Sequence, residues 1–116
     1  MKILGIGNAI VDVICKVDDK FISENNLTKG TMKSFFDDID FKNLLKNLKI
    51  EKSISGGSVA NSIVGLSQLK NEVGFIGKIS DDEFGSKYEE GLKKENVEYF
   101  YSKKKEALPT GTCLIL

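Results

Sequence analysis

The chain has 116 residues, 41% hydrophobic and 29% charged, with 17 basic residues against 17 acidic ones and a formal net charge of zero. This describes one modest globular domain and argues against a nucleic-acid binder, which carries a basic surplus. Histidine and arginine are both absent, which excludes a histidine base, a Ser-His-Asp triad, a histidine zinc site and an arginine clamp on phosphate.

Residues 2 to 17 open with a short apolar run, Ile3, Leu4 and Ile6, that predicts a strand buried on both faces. After Asn8 the pattern alternates. Val11, Val13, Cys15 and Val17 point one way, and Ile10, Asp12, Ile14 and Lys16 the other. The switch predicts a strand leaving a central sheet for a half-exposed one, with Gly5 and Gly7 near the bend. Residues 18 to 30 predict a short helix and a turn closing on Gly30, and residues 31 to 36 a short strand. Residues 37 to 49 carry Ile39, Phe41, Leu44, Leu45 and Leu48 at helical spacing, acids first and lysines last, as the helix dipole favours.

Residues 52 to 57 predict a strand and a glycine loop. Residues 58 to 70 predict a well-buried helix, because Val59, Ala60, Ile63, Val64, Leu66 and Leu69 cover most of its circumference. A strand follows over 73 to 79. An amphipathic helix capped by Ser80 or an aspartate runs to about Asn96. Val97 to Tyr101 is a further strand, Lys103 to Lys105 a solvated turn, and TGTCLIL a last β-rich run ending at Leu116. The strand–helix alternation predicts a parallel α/β sheet, and the ending predicts a fragment or a domain taken from a longer protein. Cys15 and Cys113 form no CxxC pair and read as buried free thiols. No signal-like segment or long apolar stretch is present, so a cytoplasmic protein without membrane contact is expected.

Two phosphate-site motifs fail on inspection. GIGNAI has Ile10 where the dinucleotide fingerprint needs its third glycine, and SGGSVAN lacks the Gly-Lys-Ser/Thr ending of a P-loop. Asp12 is more informative, since it shares a strand face with Ile10 and Ile14. A carboxylate there needs water or a partner, so it is either an edge-strand acid facing solvent or an acceptor for ligand hydroxyls. With Ser58 as N-cap, Asn61 falls at the helix mouth, either supporting the cap or binding a polar ligand lying over Gly56 and Gly57. A carboxylate, an amide and glycine N–H groups together suit a polyhydroxyl ligand, a sugar or ribose, better than a phosphate.

GIGNAIVDV, GGSVANSIVGLSQL, VGFIGKISDDEFG and PTGTCLIL occur in an order that resembles the N-terminal part of the PfkB (ribokinase-like) carbohydrate and nucleoside kinases. The resemblance covers essentially the whole chain. Asn8-x-x-x-Asp12, the Asp-Lys-Phe after the first strand and Thr-Gly-Thr-Cys resemble the adenosine kinase branch more than ribokinase itself. The resemblance implies a ribokinase-like α/β sandwich with a small β-sheet lid, here only its N-terminal part. Lid strands are implied near residues 10–17, 31–36, 52–56 and 110–116. It implies that Asp12 binds sugar or ribose hydroxyls and that Asn8, Gly56, Gly57, Ser58 and Asn61 line the same pocket. Ser58 stands where ribokinase-type members often carry lysine, which favours a nucleoside substrate over a sugar. It implies transfer of the ATP γ-phosphoryl group to a hydroxyl, with ATP and Mg2+ as cofactors of the full-length enzyme. The base of such enzymes lies in a GxGD motif that this chain lacks. No catalytic, cofactor-binding or metal-binding residue is therefore expected here, no cofactor is expected to bind this chain alone, and the chain is expected to be inactive alone. The alternatives are a sugar kinase of the fructose or ribose type and a non-catalytic sugar-binding or association module. A homodimer through exposed lid edges is a further expectation.

Overall fold

The computed structural model of the chain describes residues 2–35 and 38–116. It is an α/β fold with two three-stranded sheets. The first contains β1 (Lys2–Ile6), β4 (Glu72–Ile76) and β5 (Glu98–Tyr99), all parallel, in the order β1-β4-β5. The second contains β2 (Ile10–Cys15), β3 (Ile50–Gly56) and β6 (Gly111–Ile115), in the order β3-β2-β6. Here β2 runs antiparallel to β3 and parallel to β6. The change of pattern at Asn8 is thus the passage from one sheet to the other.

Among the described residues there are four helices: α1 (Asp19–Glu24), α2 (Asp38–Lys46), α3 (Ser58–Gln68) and α4 (Glu83–Lys94). α1 starts where the Asp18 carboxylate accepts from the Phe21 N–H at 2.8 Å. α4 starts where Asp82 accepts from the Gly85 N–H at 2.7 Å, and it ends on lysines. Both acids satisfy donors that the first helical turn leaves free. Among the described residues, no helix is long and apolar enough to cross a membrane.

α4 forms the wall shared by the two sheets. Its Tyr88 is fully buried, with its ring centroid 6.1 Å from both the tilted ring of Phe75 of β4 and the edge-on ring of Tyr99 of β5. On the other side, Ser55 of β3 donates to the Tyr88 carbonyl at 3.1 Å. Val11, Val13 and Cys15 close the core from β2, and Ile79 and Leu92 from β4's end and α4. Burial pushes the Tyr88 phenol well above its ordinary pKa, so it remains a neutral core group.

Four expectations need correction. Thr31–Phe35 forms no strand, and Phe36 lies outside the described residues. An extended segment becomes a strand only when its backbone groups find a ladder; here Phe35 instead packs edge-on against Phe41 of α2 at 5.9 Å. The first strand is not buried on both faces, because Leu4 and Ile6 are 53% and 71% exposed. Only the side facing α3 is covered. α3 is half-buried rather than enclosed, with Ala60 and Ile63 inside and Leu69 in solvent. Finally, Cys15 is buried but Cys113 is exposed, since β6 is an outer strand of its sheet.

Candidate functional site

The site grows from β2. Residues directly opposite one another in a ladder share a face. Asp12 lies opposite Ile54 on one side and Cys113 on the other, while Val11 and Val13 point into the core. Asp12 therefore stands on the outer face between aliphatic neighbours, half-buried. Among the described residues, none donates a hydrogen bond to its carboxylate. A half-buried acid with free lone pairs is an acceptor waiting for hydroxyl or amide donors.

Gly56 explains how the carboxylate is held. A Cβ built on Gly56 would collide with both the Asp12 carboxylate oxygens and its carboxyl carbon. The acid thus lies flat over the glycine Cα at the end of β3. Gly57 turns the chain into α3 with φ of +96°, and a Cβ there would come within 2.6 Å of the Asn8 carbonyl oxygen. Glycine is needed twice over, for the backbone angle and for the close approach of the Asn8 loop. Asn8, Asp12, Gly56 and Gly57 are accordingly brought together by the crossing from β1 to β2 and the turn from β3 to α3. Gly57→Ala is expected to cost about 2–4 kcal/mol, from strain plus overlap with Asn8. Urea unfolding monitored by circular dichroism measures it, and an unchanged midpoint contradicts the assignment.

Ser58 and Asn61 follow on the first turn of α3, both exposed. Ser58 is not the N-cap. Gly57 holds that position, without a side-chain cap, and the Asn61 N–H makes the first helical bond to the Gly57 carbonyl at 2.9 Å. The positive φ of Gly57 starts the helix one residue early, so Asn61 sits one place deeper than the mouth. No hydrogen bond of the structure joins the Ser58 or Asn61 side chain to Asp12.

Other groups near the site escaped the sequence reading. Cys113 shares the Asp12 face through the β2–β6 register. Partial desolvation and then the Asp12 charge raise its pKa, so the thiol stays protonated at neutral pH. Its alternation within TGTCLIL was visible, but its partner strand was not. A cavity of about 520 Å3 opens at the carboxyl ends of β1 and β4, lined in part by Asn8, Ile10, Lys78 and Tyr101. Crevices at the carboxyl ends of parallel strands are where open α/β sheets take ligands. Among the described residues, no group of three or more Cys, Asp or Glu side chains converges to hold a metal ion.

The comparisons with known proteins agree with this architecture. A 5-dehydro-2-deoxygluconokinase of Mesomycoplasma hyopneumoniae (strain 232) is 44% identical over 69 residues, 60% of this chain and 20% of its own length. A fructokinase of Escherichia coli is 40% identical over 60 residues, 52% of this chain and 20% of its own. The adenosine kinase structure from Sinorhizobium meliloti superposes with a TM-score of 0.81 at 29% identity, covering 97% of this chain and 34% of that one. The chain thus spans about a third of the length of that structure, and its fold is ribokinase-like. Residues 2–116 match the family described as pfkB family carbohydrate kinase, and the chain belongs to that family.

Proposed function

We propose that this chain carries the hydroxyl-binding half of an ATP-dependent sugar kinase, with β2, β3 and β6 as the lid over the sugar. The observation that carries the reading is the free Asp12 carboxylate seated over Gly56 beside the Asn8–Gly57 junction. A carboxylate accepts from two vicinal hydroxyls, and the bare glycines let a sugar lie against backbone N–H groups. ATP supplies the γ-phosphoryl group. A substrate hydroxyl oxygen bonds to phosphorus, the bond to the bridging oxygen of ADP breaks, and the hydroxyl proton passes to a base. This chain's part is to bind and orient the hydroxyls. The uncovered face at Leu4, Ile6 and Phe100 supports a reading in which further elements of the kinase pack there, since parallel sheets are covered on both faces.

Sugar stands ahead of nucleoside because the relatives above 40% identity that span half of this chain or more are named as 5-dehydro-2-deoxygluconokinases. The likeness to an adenosine kinase at 29% identity supports the nucleoside as second reading. The test is ATP-dependent phosphorylation by the product of the whole reading frame that encodes this chain, with 5-dehydro-2-deoxygluconate, D-fructose and adenosine as substrates. Turnover of a sugar is expected. Turnover of adenosine alone overturns the sugar assignment, and turnover of none overturns the kinase. The 116-residue chain assayed alone is expected to give no turnover; ATP-dependent product from it would show that a catalytic base lies within it.

A further inference from the structure

We propose that Tyr88 of α4 is a positioning residue for the hydroxyl site, holding the end of β3 in the place where the Asp12 carboxylate rests on it. The inference rests on the reading of Asp12 as the hydroxyl acceptor and adds what keeps its seat in place. The seat lies at the end of the β2–β3 ladder. Pairing stops there, at Ile10 opposite Gly56, and Gly57 turns the chain away with a positive φ. The last pair of a ladder frays first, and glycine has no side chain to pack it down. Any shift of Gly56 shifts what lies over it, because the Asp12 carboxylate fills the space a Cβ would take.

Two hydrogen bonds tie that end to α4, and both run through Tyr88. Its buried hydroxyl donates to the Gly56 carbonyl at 3.4 Å. The Ser55 hydroxyl, one residue earlier on β3, donates to the Tyr88 carbonyl at 3.1 Å. The first contact is long for an O–H···O bond, but it is sealed from water, where a hydrogen bond is stronger and an unpaired group costs more. Burial also keeps the phenol protonated, so it remains a donor. Gly91 lets helix and strand come this close, since a Cβ there would collide with the Ser55 hydroxyl. The Tyr88 ring is itself fixed by Phe75 and Tyr99. It belongs to the core cluster with Val11 and Val13, which point to the opposite face of β2 from Asp12. Tyr88 therefore touches no ligand on the Asp12 face and acts through Gly56.

The test is steady-state phosphorylation by the product of the whole reading frame, with 5-dehydro-2-deoxygluconate, D-fructose and adenosine as substrates. Tyr88→Phe removes one oxygen and keeps the ring packing. It is expected to raise KM about tenfold for the substrate that is turned over, with kcat changed less than about twofold. In the Asp12→Ala background the same change is expected to lower kcat/KM no further, because nothing then rests on Gly56. Leu92→Val, a core truncation on the same helix, is expected to lower the urea midpoint and leave KM unchanged. Three results overturn the proposal. One is an unaltered KM in Tyr88→Phe, with only stability reduced. Another is a loss that adds in full to that of Asp12→Ala. The third is an equal rise of KM in Leu92→Val, which marks a general loosening of the core. Failure of the underlying reading looks different and takes the inference with it: none of the three substrates is turned over, or Asp12→Ala keeps the parental KM.

Discussion

The Asp12→Ala variant is expected to bind polyhydroxyl ligands about a hundredfold more weakly than the parent chain, while unfolding at the same urea concentration. Two hydroxyl donors to one carboxylate account for a loss of that size. The stability arm follows from the structure. Among the described residues nothing donates to Asp12, so its removal strands no protein donor and takes a charge off an otherwise aliphatic face. Asp12→Asn keeps one acceptor and should lose about tenfold. Gly56→Ala should mimic Asp12→Ala in binding, because the new methyl displaces the carboxylate. Isothermal calorimetry and urea unfolding on the same preparations check both arms. Unchanged affinity in Asp12→Ala removes the site; lost stability with unchanged affinity makes Asp12 a structural residue.

The second large effect is on the fold. Asp82→Ala is expected to cost about 3 kcal/mol, from a lost helix cap and two lost hydrogen bonds to a carboxylate. Besides capping α4, Asp82 accepts from the Thr110 N–H at 2.8 Å and the Thr110 hydroxyl at 2.7 Å. Thr110 is buried and immediately precedes β6. One side chain therefore fastens the last strand to the helix that walls both sheets. Hydrogen exchange should locate the damage: amides of Thr112 and Leu114 lose protection first, and uniform loss contradicts the tether. Asp82→Asn retains an acceptor and should cost about half as much.

The same carboxylate predicts a pH dependence. Burial alone raises the Asp82 pKa, but hydrogen bonds from Thr110 and Gly85 and the nearby Lys103 charge outweigh it, and the pKa lies below its ordinary value. A depressed carboxylate pKa stabilises the fold above the unfolded value, about pH 4. That contribution is lost as pH falls through the folded value. Asp82→Ala should accordingly flatten the acid limb of the stability curve, as thermal melts from pH 6 to pH 3 would show.

Sequence patterning alone determined the α/β class, the switch from one sheet to another at Asn8 and the capped helix after Ser80. Each is a local matter of period, turn chemistry or residue type. Ladder register decided the rest. It placed Cys113 beside Asp12 and left Thr31–Phe35 without a strand partner. Helix packing on one side only left Leu4 and Ile6 uncovered, although their apolar run read as buried. Gly57 took the N-cap from Ser58 through a backbone angle that no residue pattern announces. Lys78 reached Glu106 and the cavity across 28 residues of chain. Periodicity reports which face of an element is apolar; what covers that face, and which side chains meet across it, is fixed only when the elements pack.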